Sequence, residues 1–172
     1  YCQNDLQFAE DIVHTLQNGD LIIRDLGYFV VPVFSKIMAQ GAYFLSRLNL
    51  STHVLSPENE RIIDLVAFLK KKEQQGIRNV DMPVLLSYKH RIPVRFVAIK
   101  LTDQQAKKRR QMAKTQRHKN SPISQKASYL MSWNLFITNV ESSIWDVPSL
   151  YHAYTLRWHI EMIFKCWKSK FN

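Results

Sequence analysis

Cysteine is scarce in this chain, and the two present, Cys2 and Cys166, stand at opposite ends with no Cys-x-x-Cys spacing. That excludes a disulfide framework and a zinc knuckle, and it fits a reducing, intracellular setting. Glycine and proline are few, 4 and 6 respectively, which rules out collagen-like and low-complexity chains. No apolar run approaches the ~20 residues needed to cross a bilayer, and the opening YCQNDLQFAEDIVH lacks the basic-then-apolar order of a signal peptide. No membrane partner is therefore expected. A Gly-rich phosphate loop and a Gly-x-Ser-x-Gly elbow are both missing, which argues against nucleoside triphosphate use and serine-hydrolase chemistry. Only His152 and His159 among the scattered histidines share a helix-like stretch, and without a third ligand they make no metal site.

What remains is a packed chain. Its 172 residues are 46% hydrophobic and 12% aromatic, enough for one domain with a sizeable core. It opens on Tyr1 rather than Met, which suits a piece of something longer.

The charge balance is one-sided, with 24 Lys and Arg against 14 Asp and Glu, a net +10. Residues 107–119, KKRRQMAKTQRHK, contain Lys107, Lys108, Arg109, Arg110, Lys114, Arg117 and Lys119 and no acid. A concentrated basic segment points to a polyanion, because neutralising phosphates releases counterions and supplies sequence-independent affinity. A solvated helix or loop is the alternative reading. Met112 is the single large apolar residue in the run, so an amphipathic membrane helix is disfavoured.

Local pattern predicts alternating elements. Leu6, Ala9, Val13 and Leu16 recur at helical steps over 6–17 until Asn18-Gly19. Leu21 to Ile23 form a continuous apolar run, as in a central strand buried on both faces, which leaves Asp25 at a strand end. Gly27 permits a turn, 29–40 reads as a helix closed by Gly41, and Tyr43 to Leu48 reads as a strand. Tyr28, Phe29, Phe34, Tyr43 and Phe44 are expected to build the core. A helix over 60–73 ends in Lys70, Lys71 and Lys72, and two β-rich runs, 82–88 and 92–101, flank a short loop Lys89-His90-Arg91. The basic stretch 103–119 is predicted helical, Asn120-Ser121-Pro122 breaks it, 129–140 reads as a strand and 149–171 as a long helix. The alternation argues for an α/β class, with 75–140 as a β-rich insertion between 1–74 and 141–172.

The last helix carries the densest signal. Tyr154, Arg157, Glu161 and Lys168 fall within a ~60° arc of one face at ~100° per residue. Leu156, Ile160, Ile163, Phe164, Trp167 and Phe171 form an apolar stripe expected to face a sheet. An ordinary amphipathic helix with Arg157 paired to Glu161 is the plain alternative.

The residue identities, YTLRWHIEMIFKCWK, resemble the Tyr-Arg-Glu-Lys signature of the DDE-domain transposases of bacterial insertion sequences. Upstream, GDLIIRDLGYF is similar to that family's second catalytic Asp at a strand end, here Asp25, and WNLFITN at 133–139 resembles its last strand before the catalytic helix. The resemblance runs from about residue 8 to 171 of the chain. It implies an RNase H-like mixed sheet flanked by helices, with a β-rich insertion before the catalytic helix. It also implies that Asp25 and Glu161 are catalytic, metal-binding carboxylates for Mg²⁺ or Mn²⁺, hard ions that take oxygen ligands. Tyr154, Arg157 and Lys168 are expected to hold a transposon end, with Lys107, Lys108, Arg109 and Arg110 on the DNA backbone and Arg91 and Arg95 extending that surface. Trp133 stands where hairpin-forming relatives carry a base-stacking Trp; a Trp packed in the insertion's own core is the alternative.

The family's first Asp has no counterpart, since Asp5, Asp11 and Asp20 lie too close to Asp25 and none follows a β-like run. An N-terminally incomplete chain, unable alone to cut or join DNA, is therefore expected. The resemblance further implies cut-and-paste transposition in a bacterial cytoplasm, near the nucleoid, on double-stranded element ends and target DNA, by a homodimer on paired ends. The rival reading is a non-catalytic DNA-binding remnant of a decayed or domesticated element.

Overall fold

A computed structural model describes residues 12–116 and 123–170, with side chains of the last helix described through His159 and at Cys166. A 3-10 turn, Ile12–Thr15, leads to β1 (Leu21–Arg24), a second 3-10 turn (Leu26–Tyr28), α1 (Val31–Ala39) and β2 (Tyr43–Arg47). Then come β3 (Val54–Leu55), α2 (Leu65–Gln74), β4 (Asn79–Leu86), β5 (Ile92–Lys100), α3 (Asp103–Gln116), α4 (Gln125–Leu130), β6 (Trp133–Thr138) and α5 (Val147–Lys170). The six strands are hydrogen-bonded in the order β1-β2-β6-β5-β4-β3. β1 and β2 run parallel, while β3, β4 and β5 pair antiparallel, so the sheet is mixed. This is the α/β architecture expected, a mixed sheet flanked by helices, consistent with the RNase H-like class.

Contacts divide the chain into two compact units, one of 1–46 with 138–172 and one of 47–137. In the first unit, α1 buries Val33, Phe34 and Ile37 at helical spacing. Phe34 stacks on Phe44 at 4.4 Å between centroids and meets Phe29 edge-on at 5.2 Å. Gly41 terminates α1 at φ 69°, and a side chain there would also collide with Asn18. The backbone of β2 is completed by side chains: Asn139 donates to Ala42 O at 2.9 Å and accepts from Phe44 N at 2.8 Å, and Thr138 Oγ1 donates to Phe44 O at 2.5 Å. Of the expected aromatic core, Phe34 and Phe44 are buried, Phe29 and Tyr43 half-buried, and Tyr28 exposed.

The second unit is built on the β4–β5 hairpin, whose register runs from Asn79↔Ile99 to Leu86↔Ile92. Val80, Val84 and Leu86 on β4 and Val94, Phe96 and Ala98 on β5 are buried at alternate positions, the pattern of a core-facing sheet side, and Val97 is buried on the opposite face of β5. Pro83 lies in the part of β4 that the two-residue β3 leaves uncovered. Asp64 caps α2 by accepting from Val66 N at 3.0 Å and Ala67 N at 3.2 Å.

Among the described residues the Leu21–Ile23 run pairs with β2 and is half-buried. Three expectations need correction. The 60–73 helix starts later, at Leu65, because Ile62 bridges to Leu55 and Asp64 supplies the cap. The 129–140 strand starts at Trp133, because Ser124 Oγ accepts from Ala127 N at 3.2 Å and caps a short helix through Leu130. Of the 6–17 helix, residues 12–15 form a 3-10 turn, 16–17 are not helical and 6–11 lie outside the described residues, as do 117–119 of the basic stretch.

Candidate functional site

Asp25 follows β1 directly and caps the next turn, its Oδ1 accepting from Leu26 N at 2.8 Å. A carboxylate used this way is fixed in direction by the backbone yet keeps its second oxygen for other partners. Its side chain is 46% exposed. Before it, Arg24 is buried, and that burial pushes the guanidinium's pKa down, with Tyr28 acting the opposite way.

Helix α5 packs the two described residues of its signature, Tyr154 and Arg157, inward. Leu150, Ala153 and Tyr154 are buried and Arg157 is only 21% exposed. Leu156 and Trp158 point out, 46% and 59% exposed. The stripe expected to face the sheet is therefore wrong at Leu156, while Leu150, Ala153, Tyr154 and Arg157 are the packed residues among the described side chains. Ile160, Ile163, Phe164, Trp167 and Phe171 lie outside the described side chains.

Arg157 Nη1 stands 3.5 Å from Asp25 Oδ2, and its guanidinium lies 5.5 Å from the centroid of the Tyr154 ring. The structure thus brings together Asp25, Arg157 and Tyr154 from sequence segments far apart. Arg157 pairs with Asp25 in a contact that helical spacing alone, pointing to Glu161, did not reveal. Glu161 and Lys168 lie on the backbone of α5, and their side chains are outside the described set. Among the described residues no group of three or more His, Cys, Asp or Glu could hold a metal ion. His152 and His159 are both exposed.

In the 47–137 unit, the basic helix α3 has two different faces. Lys107, Lys108, Gln111 and Lys114 are exposed, whereas Ala106 is buried and Arg109, Arg110 and Ala113 are half-buried. Arg109 donates to Trp133 O at 2.9 Å and to Asn134 Oδ1 at 2.5 Å, and Arg110 reaches Ser128 O at 3.4 Å. Arg91 and Arg95 are engaged as well. Arg91 pairs with Glu60 at 2.9 Å, and Arg95 grips Asp81 with two bonds of 2.6 and 2.7 Å, so their charges are neutralised locally.

Trp133 is 1% exposed on β6, a strand buried along its whole length. Lys100 Nζ lies 5.1 Å from its ring centroid and 5.2 Å from that of Tyr129. Lys100 also pairs with Glu73 at 2.7 Å and donates to Ser132 Oγ at 3.0 Å, while Tyr129 OH donates to Glu73 Oε2 at 2.8 Å. These bonds hold the Glu73 carboxyl below its usual range, and burial together with the Glu73 bond lifts the Tyr129 phenol to about 12. Sequence reasoning missed this network because its members come from α2, β5 and α4 and share no local pattern. A groove of about 460 Å³ in the same unit is lined by Leu50, His53, Ile62, Asp64 and Lys126, with the Asp64 carboxylate used as the α2 cap.

Residues 3–172 match the family model described as "Transposase DDE domain". The chain is 31% identical over 188 residues to the transposase for insertion sequence element IS231B of Bacillus thuringiensis subsp. berliner, covering 98% of the chain and 38% of that relative. It is 32% identical over 184 residues to the transposase for IS231F of Bacillus thuringiensis subsp. israelensis, covering 98% of the chain and 39% of the relative. It is 27% identical over 189 residues to the transposase for IS1151 of Clostridium perfringens, covering 99% and 39%. The chain thus spans about two fifths of the length of these relatives. No solved structure matches it. Among the described residues no helix is long and apolar enough to cross a membrane.

Proposed function

Because this chain belongs to the transposase DDE domain family, we propose that it forms part of the catalytic domain of a cut-and-paste transposase, cleaving and joining DNA strands at element ends. Asp25 and Glu161 are its metal-binding carboxylates in this reading. The Asp25 carboxylate suits metal binding, since it is half-exposed, aimed by the Leu26 N–H, and already faces a cation through Oδ2. Divalent metal, Mg²⁺ or Mn²⁺, supplies activation of the attacking oxygen and stabilisation of the leaving oxygen in an in-line displacement at phosphorus.

The chain's own residues orient the DNA. Arg157 offers a planar fork for a phosphate, braced by the buried Tyr154 ring. Lys168 adds a point charge further along α5. Lys107, Lys108 and Lys114 present a solvent-facing row to the DNA backbone, while Arg109 and Arg110 set the helix that carries them. Trp133, packed in the core of its unit, contributes through folding rather than base stacking. A homodimer on paired ends, in the bacterial cytoplasm, completes the reading.

The observation that carries the proposal is the meeting of Asp25, at the end of β1, with Arg157 of the helix bearing Glu161. The test is the full-length protein carrying Glu161→Gln, assayed on a duplex with the element's terminal repeat in Mg²⁺. End binding is expected to persist and strand cleavage to vanish. Cleavage at the unmodified rate contradicts the proposal.

A further inference from the structure

The Asp25–Arg157 pair joins a carboxylate read as a metal ligand to a guanidinium read as a phosphate ligand. Both side chains are more useful elsewhere than to each other. We propose that Arg157 is a placeholder for the divalent cation at Asp25: it occupies Oδ2 in the resting protein, yields that oxygen when metal binds, and is thereby freed to turn its fork toward substrate phosphate. This rests on the reading of Asp25 as a metal ligand.

Three observations support it. Oδ1 of Asp25 is committed to Leu26 N, so Oδ2 is the oxygen left for an incoming cation, and that is the atom Arg157 faces. The contact is 3.5 Å long and Asp25 is 46% exposed, a pair weak enough for a divalent ion to displace. The guanidinium rests on the Tyr154 ring on the same helix, so it has a surface against which to pivot without leaving the site. A cation at Oδ2 also reduces repulsion between the Asp25 carboxylate and incoming DNA before metal arrives. Metal and phosphate binding then reinforce each other through one side chain, since anything that draws Arg157 away from Asp25 favours metal there, and the converse.

The test uses the full-length protein without DNA and titrates Mn²⁺, with free Mn²⁺ read by electron paramagnetic resonance. Arg157→Gln is expected to bind Mn²⁺ about two- to fivefold tighter than the unmodified protein, the range set by loss of one exposed ion-pair competitor. Equal or weaker binding overturns the placeholder role. Asp25→Asn separates the two readings, because if it binds Mn²⁺ as the unmodified protein does, Asp25 is not a ligand and the premise itself fails. A second measurement on the unmodified protein covers the case in which Arg157→Gln does not fold. The Arg157 guanidinium protons, followed by nitrogen-edited NMR, are expected to exchange faster with water as diamagnetic Mg²⁺ is added. Unchanged or slower exchange overturns the proposal.

Discussion

The guanidinium of Arg109 lies against Asn134, donating to its side-chain oxygen at 2.5 Å, and a second nitrogen reaches the Trp133 carbonyl at 2.9 Å. One of the most basic helices of the chain is thus fastened to a buried strand by its own arginine, which cannot at the same time serve a phosphate.

Arg109→Ala is therefore expected to cost about 2 kcal/mol of folding stability, the range for hydrogen bonds from a charged donor to part-buried acceptors. Denaturant unfolding of the chain checks this. Lys107→Gln with Lys108→Gln is expected to leave the unfolding midpoint in place and to lower the slope of log affinity for DNA against log salt by ~2, at about 0.9 per phosphate contact. A stable Arg109 variant with weakened DNA binding would reverse the assignment of the two faces.

Trp133→Ala is expected to lose ~3–5 kcal/mol, as for a large aromatic removed from a packed core. The effect is on folding first, so end binding and cleavage should fall together with the folded fraction. Circular dichroism melts run beside the DNA assays distinguish this from a selective defect in one chemical step.

Tyr129 and Glu73 give a pH dependence with opposite signs. The Tyr129 phenol is raised to about 12, so its contribution to stability is complete below the ordinary tyrosine value and is lost as pH rises through about 12. The Glu73 carboxyl is lowered, so its contribution is present above the ordinary glutamate value and is lost as pH falls through its depressed folded value. Ultraviolet titration of tyrosinate is expected to show one late-titrating phenol, moved to lower pH by Glu73→Gln. An unchanged titration curve in that variant counts against the bond.

Thr138→Val removes a buried hydroxyl that donates to Phe44 O and accepts from Val140 N, and is expected to cost about 1–3 kcal/mol. Thermal unfolding measures it, and a neutral result indicates that the two backbone groups find other partners.

Much of this fold could be read from local pattern. The end of β1 at Asp25, the α1 helix closed by Gly41, the β4–β5 hairpin and the long last helix all follow from period and turn residues, which neighbouring residues set. Strand order is different. The order β1-β2-β6-β5-β4-β3 is written in no single strand, because position in a sheet is decided by which strands pair and not by the strand itself. The Ser124 cap outweighs the strand-like residues after it. The burial of Tyr154 and Arg157 on α5 also escaped the helical wheel, since they are amphipathic side chains whose apolar bodies can be buried. At the candidate site, the signature pointed to Asp25 and Arg157 separately. Their contact was not legible, because segments at the two ends of the chain have no spacing rule to connect them. The same holds for Arg91 and Arg95, whose partners Glu60 and Asp81 come from neighbouring turns and strands.

The central claim is that Asp25 serves metal-dependent DNA cleavage. The most direct measurement compares the full-length protein with its Asp25→Asn variant in single-turnover nicking of a terminal-repeat duplex in Mg²⁺, at matched folding and end binding. Loss of nicking with binding retained is the expected result, and nicking by Asp25→Asn at the unmodified rate contradicts the claim.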